Sequence, residues 1–566
     1  MDTLTPLNSK IESIIELFSS GHIREALNTV QTLISQHPNE ALLHNISGVC
    51  YKATGQQEMA VQSFKRAVEI KSDFADAHYN LGLTLQELNQ LDDAVKSYLK
   101  ALTIKSDYAE AYNNLGVTLK DLDQLEEAVK CYEKALIIKP DYPEAHNNLG
   151  NALKNLGRLS KAVECFERML TIDPDNAEGH NNLGNTLYVL GQPNAAGKSY
   201  MNALAIEPDY AEAHSNLGIT LNELGRFEDA EASYNRALAI APHFPEAYSN
   251  LGDLLTDLKR LDEALVSYET AFNLKPDIIF MLGKLLHTKM HLCLWDDLSS
   301  RLDELQDKIH NNEKVIPPFP MLGLIDDPEL QRNVTEIFVN ENLPKNHDLP
   351  KIGLYPKHKK IRIGYFSADF KEHPVAALTA ELYEIHDRNH FEIHAFSYGP
   401  ETNDKMHLRI KAGVDHFHDV RTMSYEDVAM LARSLEIDIA VDLGGSTTNS
   451  RTGIFARSAA PIQASYIGYI GTLGANYYDY LVADQTMIPE DNQKYYAEKI
   501  AYLPSFQVND STQSPPSTTL TRQDVGLPET GFVFCCFNNN FKITPTTFDS
   551  WGRILEKVKD SVLLIY

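Results

Sequence analysis

The chain repeats a unit that reads Glu144-Ala-His-Asn-Asn-Leu-Gly-Asn-Ala-Leu153 and, six residues later, Leu159-Ser-Lys-Ala-Val-Glu-Cys-Phe-Glu-Arg-Met-Leu170. Apolar residues recur at helical spacing in both segments, which predicts two amphipathic helices. Gly150 and Ala162 lack bulk, so the two helix axes can approach closely, and Phe166 fills the space beside them. Because one helix pair cannot bury its apolar face alone, the unit predicts a stack of many copies.

The same unit recurs every 34 residues, in seven copies that span residues 41–278. Three positions keep the register in all copies: a glycine (Gly48, Gly82, Gly116, Gly150, Gly184, Gly218, Gly252), an alanine (Ala60, Ala94, Ala128, Ala162, Ala196, Ala230, Ala264) and an aromatic residue (Phe64, Tyr98, Tyr132, Phe166, Tyr200, Tyr234, Tyr268). This pattern resembles the tetratricopeptide repeat and predicts an α-solenoid. Residues 1–40 keep only part of the pattern, as expected for a degenerate N-terminal repeat that caps the solenoid.

An asparagine stands two residues before most of these glycines, at Asn80, Asn114, Asn148, Asn182, Asn216 and Asn250. An amide offers one acceptor and two donors, so this column predicts a ladder that holds the backbone of an extended protein or peptide on the concave surface of the solenoid. The alternative is that each asparagine bonds within its own repeat. Polar residues are dispensable for stacking, and their recurrence therefore favours the binding interpretation.

Charge and composition exclude some classes of partner. The net charge is −27, which argues against nucleic acid and anionic membranes as general partners. The start of the chain lacks a signal-peptide pattern, and no apolar run is long enough to span a bilayer. The six cysteines have no metal-ligand spacing, which indicates free thiols in a reducing compartment. We therefore expect a cytoplasmic protein.

The helical pattern fades after the repeats. Residues 279–358 are predicted to be a helical extension followed by a linker. The extension covers residues 279–312, and Pro317-Pro-Phe-Pro320 breaks its pattern. The linker is expected to hold one short helix, near Pro328 to Asn340.

Strands and helices alternate in residues 359–518. Strands are predicted at Ile361–Ser367, Phe391–Ser397, Asp438–Leu443 and Gln463–Ile467, and helices at His373–His386, Tyr425–Leu435 and near Ile454. This alternation predicts an α/β lobe with a parallel sheet and helices on both faces. Ligands bind past the carboxyl ends of such strands. The loops expected there are Ser367–Pro374, Asp442–Thr448 and Gly468–Gly474.

A second α/β unit begins in residues 519–566. A strand is predicted at Phe532–Phe537 and a helix at Thr546–Val558. The loop between them is Asn538–Pro545, and a final strand is predicted at Ser561–Tyr566.

Several short motifs resemble the protein O-linked N-acetylglucosamine transferase family, which includes the relatives called Spindly. The matching pieces run in family order: Cys293-Leu-Trp295, Pro318-Phe-Pro-Met-Leu322, Ser367-Ala-Asp-Phe370 with His373-Pro374, Val441-Asp-Leu443, Ala460-Pro-Ile-Gln-Ala464, Gly468-Tyr-Ile-Gly-Thr472 and Phe537-Asn-Asn-Asn-Phe-Lys-Ile543. The resemblance implies a two-lobed, GT-B-like glycosyltransferase that inverts the configuration at the anomeric carbon of the sugar and needs no cofactor or metal. Its donor is implied to be UDP-N-acetylglucosamine or a related nucleotide sugar, and its acceptor a serine or threonine of a protein recruited by the repeats.

The resemblance also assigns site residues. His373 matches the family histidine in the active-site cleft, and Lys542 matches the lysine that steadies the leaving diphosphate. A lysine placed against developing phosphate charge agrees with that role. The donor-binding residues implied are Gly468, Tyr469, Gly471, Thr472, Asn538 and Asn539. By the residues alone, His373 could simply cap a helix and Lys542 could be a solvated loop lysine.

Two further expectations concern activity. The sequences Asp121-Leu-Asp123 and Asp173-Pro-Asp175 lie in repeat turns, so neither is interpreted as a metal-ligand pair. The family's second lobe continues past the position of Tyr566, so we expect an incomplete second lobe and little or no activity from the chain as written. The alternative function is a non-catalytic repeat scaffold.

Overall fold

Two helices joined by a short turn form each repeat of the N-terminal half. The computed structural model describes residues 7–345, 349–353, 355–356, 358–447, 449–508, 510–512 and 520–565. The repeat helices are α1 (Leu7–Ser19), α2 (Ile23–Gln36), α3 (Ala41–Ala53), α4 (Gln57–Ile70), α5 (Ala75–Glu87), α6 (Leu91–Ile104), α7 (Ala109–Asp121), α8 (Leu125–Ile138), α9 (Pro143–Asn155), α10 (Leu159–Ile172), α11 (Ala177–Val189), α12 (Pro193–Ile206), α13 (Ala211–Glu223), α14 (Phe227–Ile240), α15 (Pro245–Asp257) and α16 (Leu261–Leu274). The predicted tetratricopeptide helices are confirmed.

Glycine recurs at this position because an aromatic ring occupies the space that a side chain would need. A Cβ built on Gly150 would lie 2.8 Å from the ring of Phe166, and one on Gly116 would lie 2.6 Å from the ring of Tyr132. Both rings are fully buried. The same contact recurs along the repeats, so the spacing in the sequence translates directly into packing between the two helices of a repeat.

The chain divides into two units, Met1–Val189 with Lys198–Pro208, and Leu190–Gly197 with Asp209–Tyr566. The first unit holds α1–α11 and the later part of α12. The second holds the start of α12, the helices from α13 onward and all the strands of the described chain. Everything that follows on the α/β region concerns the second unit alone.

Four helices follow the repeats. The predicted helical extension holds α17 (Met281–His291) and α18 (Leu298–His310), as expected. The predicted linker holds α19 (Pro318–Leu324) and α20 (Pro328–Asn342), where one short helix was expected. The proline run follows a break in the helical pattern, as predicted, and it also opens α19, because proline is tolerated in a first helical turn. Asp327 caps α20 by accepting from the backbone N–H groups of Glu329 and Leu330. Met321 and Val334 are buried in the resulting cluster.

Seven parallel strands form one sheet in the described part of the chain, in the order β3-β2-β1-β4-β5-β6-β7. The strands are β1 (Ile361–Ser367), β2 (Phe391–Ser397), β3 (His416–Asp419), β4 (Ile439–Asp442), β5 (Ile462–Tyr466), β6 (Tyr480–Ala483) and β7 (Lys499–Tyr502), and the helices between them are α21 (Pro374–Ile385), α22 (Lys405–Gly413), α23 (Tyr425–Ser434) and α24 (Gly453–Ala456). The predicted strands β1, β2, β4 and β5 and the parallel sheet are confirmed. The sequence analysis missed β3, β6, β7 and α22.

Helices cover both faces of this sheet, as predicted. Ile363 and Tyr365 of β1 pack in one apolar cluster with Ala380 of α21. Phe366, the next residue of β1, packs in a second cluster with Val428 of α23. Neighbouring residues of a strand point to opposite faces, so β1 is buried on both sides.

A small second sheet pairs β8 (Val533–Cys536) with β9 (Val562–Ile565) in parallel. The helix α25 (Pro545–Lys557) connects the two strands. The predicted strand–helix–strand order is confirmed, and Tyr566, which was assigned to the last strand, lies outside the described residues.

No helix in the described ranges has both the length and the apolar character that crossing a bilayer requires.

Candidate functional site

The switch point of the large sheet lies between β1 and β4, where the chain order reverses direction. These two strands pair in parallel, with Ile363 opposite Ile439 and Phe366 opposite Asp442. Loops that leave such a pair diverge toward opposite faces and open a crevice at the carboxyl edge, which is where α/β sheets bind ligands. The loops after β1, β4 and β5 meet at this edge, so the topology brings together the three loops that the sequence analysis singled out.

His373 lies at the end of the β1 loop and caps α21. Its Nδ1 accepts from the backbone N–H of Val375 at 3.3 Å, and the same atom lies 3.6 Å from Oδ2 of Asp369. The side chain is 37% exposed, so the ring reaches solvent at the carboxyl edge of the sheet. A neutral imidazole that accepts at Nδ1 carries its proton on Nε2. The capping role is therefore present, and Nε2–H remains able to donate to a ligand.

Asp442 holds the loop that follows β4. Its carboxylate accepts from the backbone N–H groups of Gly444 at 2.9 Å and Gly445 at 3.1 Å, and from the hydroxyl of Tyr478 at 2.5 Å. The group is buried, and desolvation raises its pKa. Gly445 has a φ of +60°, a conformation that favours glycine. Asp442 thus sets the path of this loop from within the sheet rather than by facing a ligand.

Gly468 lets the loop after β5 pass directly over the end of β4. A Cβ at this position would lie 1.9 Å from the carbonyl oxygen of Leu443, so any side chain would force the two loops apart. The preceding residue, Ile467, has a φ of 64°. A β-branched residue in this region costs about 1–3 kcal/mol. The observed strain shows that the close approach of the two loops is held by the surrounding structure.

The side chains of Tyr469 and Thr472 are used inside the protein. Tyr469 is 4% exposed and Thr472 is 5% exposed. The Thr472 hydroxyl donates to Oε2 of Glu498 at 2.8 Å, and the backbone N–H of Leu473 donates to Oε1 at 2.7 Å. Burial raises the pKa of Glu498. These side chains hold the loop in place. Donor binding by this loop stays a prediction, and it now rests on the loop backbone and on Gly471.

A cavity of about 100 Å³ adjoins this loop. Its wall includes Ile470 and Gly471 from the loop, Leu322 of α19 and Phe506. Ile470 is 43% exposed, which makes it the most open apolar side chain of the loop. The cavity therefore gives the loop after β5 an accessible face toward α19.

Lys542 lies in a short 3-10 turn, Asn540–Lys542, between β8 and α25. Its side chain is exposed, and its Nζ lies 5.8 Å from the ring centre of Phe541. It makes no ion pair with any described residue. Asn538 and Asn539 are exposed beside it, and the Asn539 carbonyl accepts from the Lys542 N–H at 3.0 Å. A free ammonium group on a constrained turn can meet an anionic ligand.

Phe541 anchors this turn. Its ring is 7% exposed and lies 5.0 Å from the ring centre of His287 and 4.8 Å from that of His291. A Cβ on Gly323 of α19 would come within 3.0 Å of Phe541. The neighbouring residue Leu322 lines the cavity beside the β5 loop. Helix α19 therefore touches both the Lys542 turn and the β5 loop, whereas the contacts among described residues do not join Lys542 to His373.

The asparagine column forms rungs between neighbouring repeats. In the first unit, three of these amides donate from Nδ2 to an asparagine Oδ1 of the preceding repeat at 3.0–3.1 Å: Asn80 to Asn45, Asn148 to Asn113 and Asn182 to Asn147. Asn114 donates to the Tyr79 hydroxyl at 3.0 Å. In the second unit, Asn250 donates to Oγ of Ser215 at 3.3 Å, and Asn216 occupies the same place on α13. All six side chains are half-buried. One amide donor is thus engaged in these rungs, while part of each side chain remains accessible.

Comparison with known proteins identifies both halves of the chain. Residues 344–517 and 511–566 match the family described as glycosyl transferase family 41. Residues 48–89, 87–123 and 118–157 match a tetratricopeptide repeat family, and further tetratricopeptide families match residues 143–176, 175–243 and 221–278.

Two curated plant proteins illustrate the similarity. The probable UDP-N-acetylglucosamine–peptide N-acetylglucosaminyltransferase SEC of Arabidopsis thaliana is 34% identical over 300 residues, which are 49% of this chain and 31% of that protein. The probable enzyme of the same description named SPINDLY, from Oryza sativa, is 32% identical over 223 residues, which are 38% of this chain and 23% of that protein. The chain therefore spans less than a third of the length of these relatives.

Among solved structures, an O-GlcNAc transferase mutant from Thermobaculum terrenum is 25% identical. The match covers 69% of this chain and 68% of that one, with a TM-score of 0.45.

Proposed function

We propose that this chain is a protein O-linked N-acetylglucosamine transferase, because residues 344–517 and 511–566 match glycosyl transferase family 41 and tetratricopeptide repeats precede them. The proposed reaction moves N-acetylglucosamine from UDP-N-acetylglucosamine to a serine or threonine hydroxyl of a protein. The names of the relatives from Arabidopsis thaliana and Oryza sativa describe this donor and a peptide acceptor. The observation that carries the proposal is the crevice at the β1/β4 switch point, formed within the residues that match the family.

The proposed chemistry needs few groups. The bond between the anomeric carbon and the diphosphate oxygen breaks, and UDP leaves with the bonding electrons. The acceptor oxygen forms the new bond as its proton passes to the solvent. Negative charge then develops on the diphosphate, and a fixed cation lowers the barrier to that step. Lys542 is proposed to supply this cation, without a cofactor or catalytic metal. His373 is proposed to donate Nε2–H to a reacting or anionic oxygen at the carboxyl edge.

Acceptor proteins are proposed to bind along the concave surface of the repeats. Stacked helix pairs present extended surfaces, and a half-buried asparagine recurs at the same position of six repeats. The proposed compartment is the cytoplasm, which agrees with the six free cysteines, because disulfides are rare in reducing compartments.

Sugar transfer by the full-length gene product is the direct test, and His373 offers a discriminating variant. Asparagine caps helices as well as histidine does here, so His373→Asn should leave α21 intact while it removes Nε2–H. We expect the variant to transfer sugar about 10- to 100-fold more slowly, because a hydrogen bond to a charged group contributes about 1.5–3 kcal/mol. The measurement is radiolabelled N-acetylglucosamine incorporated from the UDP sugar into acceptor proteins.

His386 provides the matched control. It lies after the other end of α21, where its Nε2 bonds the hydroxyl of Tyr365 at 2.9 Å, so His386→Asn should leave transfer nearly unchanged. If His373→Asn transfers sugar at the normal rate, His373 acts only as a helix cap. If the unaltered protein neither transfers sugar nor binds the donor but still binds peptide, the proposed enzyme function is wrong and the protein is a repeat scaffold.

The asparagine column is tested by a double variant of the first unit, Asn148→Ala with Asn182→Ala. We expect affinity for an extended acceptor peptide to fall about thirtyfold, since two hydrogen bonds contribute about 1 kcal/mol each. The measurement is fluorescence anisotropy with a fluorescein-labelled, unstructured peptide that the transfer assay labels.

The rungs themselves give the control for this experiment. Asn113→Ala with Asn147→Ala removes the same two inter-repeat hydrogen bonds but keeps Asn148 and Asn182. Peptide affinity should be maintained in that variant if the amides contact the peptide. An equal loss in both variants would mean that the column sets the spacing of the repeats and does not contact the peptide.

A further inference from the structure

The β2–β3 edge of the large sheet carries a cluster of imidazole and carboxylate groups outside the proposed active site. Glu392 and His394 lie on β2, and His416 lies on β3 directly opposite His394 in the parallel register. Residues two apart on a strand share a face, so all three side chains project from the same side of the sheet. Their ligand atoms lie within 4.8 Å of one another.

His394 is the buried member of this cluster and has an unpaired nitrogen. Its side chain is 4% exposed, and its Nε2 has no hydrogen-bond partner among the described residues. The nearest carboxylate oxygen, Oε1 of Glu392, is 3.7 Å away. Leaving a buried polar atom without a partner is unfavourable. An ion bound between these groups would provide the missing partner.

His418 completes the arrangement from β3. Its Nε2 lies 3.1 Å from Nδ1 of His394. When Nδ1–H of His394 donates to His418, the lone pair on Nε2 is directed into the cluster. Ligating histidines commonly donate their other N–H in this way, which orients the ring.

Both oxygens of Glu392 are engaged, Oε2 by Arg362 and Oε1 by His416, and a bound ion would replace only the second of these contacts. Oε2 accepts from Nε of Arg362 at 3.2 Å, and Arg362 also pairs with Glu436 at 3.1 Å. Oε1 faces the histidines and lies 2.9 Å from Nε2 of His416. Ligand atoms around tetrahedral zinc are separated by about 3.3 Å, as follows from bonds of about 2.0–2.1 Å. The distances of 2.9 Å and 3.7 Å from Oε1 to the two imidazoles lie on either side of that value.

We propose that Glu392, His394 and His416 bind a zinc ion, with water as the fourth ligand and His418 orienting His394. Two imidazoles and a carboxylate match the ligand preference of Zn²⁺, and three protein ligands in a tetrahedral site leave one position for water. The ion would tie the edge strand β3 to β2 and reduce the pairing capacity of an exposed sheet edge. This site is independent of the proposed sugar transfer.

The test measures Zn²⁺ affinity of chelator-stripped protein by competition with a chromophoric chelator. His416→Ala is the main variant, because this side chain is 49% exposed and its removal leaves the core intact. We expect the affinity of the site to fall about 100-fold or more, since even loss of a residue behind a ligand costs about 10–100-fold. His418→Gln should cause a smaller fall, of about 10–100-fold.

His390→Ala is the matched control. His390 precedes β2, is 73% exposed and pairs with Asp387 instead of the cluster, so its loss should not change Zn²⁺ affinity. Co²⁺ substitution gives a second readout, because a four-coordinate site has a characteristic visible spectrum that His416→Ala should abolish. Equal affinity and stoichiometry in the unaltered protein and His416→Ala would overturn the proposal, as would an equal fall in His390→Ala.

Discussion

Replacing Lys542 with alanine is expected to slow sugar transfer about 10²–10³-fold, the effect of removing one fixed stabiliser of developing negative charge (about 2.7–4 kcal/mol). The structure explains why this variant should lose catalytic rate and keep its folding stability. The side chain is exposed and makes no ion pair with any described residue, whereas the turn is held by the buried ring of Phe541. Removing the ammonium group therefore costs little folding energy. Steady-state transfer by the full-length gene product gives the measurement.

Two variants show whether position or charge matters. Lys559→Ala removes another exposed lysine of the same small α/β unit and should leave the rate unchanged. Lys542→Arg keeps the charge on a different head group and should restore part of the rate, since lysine binds phosphate as a compact point charge. Transfer by Lys542→Ala within a few-fold of the normal rate would remove Lys542 from the proposed mechanism.

Replacing Phe166 with alanine is expected to destabilise its part of the solenoid by about 3–5 kcal/mol. The ring is fully buried and lies against Gly150, where a Cβ would come within 2.8 Å. Alanine would leave a cavity between α9 and α10 that glycine cannot fill. Because each repeat contacts mainly its neighbours, the loss should be local. Native-state hydrogen exchange should show reduced protection in α9, α10 and α11, and unchanged protection in the large sheet.

Ile137→Ala serves as the control. This residue lies on the second helix of the preceding repeat and is 78% exposed, so its truncation should change the local opening free energy by less than about 0.5 kcal/mol. Similar exchange in Phe166→Ala and Ile137→Ala would contradict the packing account, as would a loss of protection spread evenly over the whole chain.

Local patterns in the sequence were sufficient for the solenoid and for the inner strands of the sheet. The 34-residue period places Gly150 against Phe166 because both positions are set by helical geometry within one repeat. Strands β1, β2, β4 and β5 are buried runs with strong apolar character, which separates them from helices. The strands β3, β6 and β7 have four residues each, which is too short a run to establish a periodicity.

The chemistry of the site was only partly accessible from the sequence. Glycines at strand ends predicted the loops that meet at the carboxyl edge, and the topology confirmed that they belong to neighbouring strands. The sequence does not show whether a side chain in such a loop faces out or in. Thr472 turns inward to Glu498, and Tyr469 enters the apolar cluster beneath the loop.

Periodicity and short motifs were enough to predict which segments fold as helix pairs, where the parallel sheet begins and which family the chain resembles. The folded chain was needed to show three other features. The asparagines form rungs between repeats, Asp442 supports its loop from within, and Glu392, His394 and His416 converge. Each of these depends on strands or helices that are distant in sequence and are brought together by burial of apolar surface. Convergence of this kind leaves no trace in local spacing.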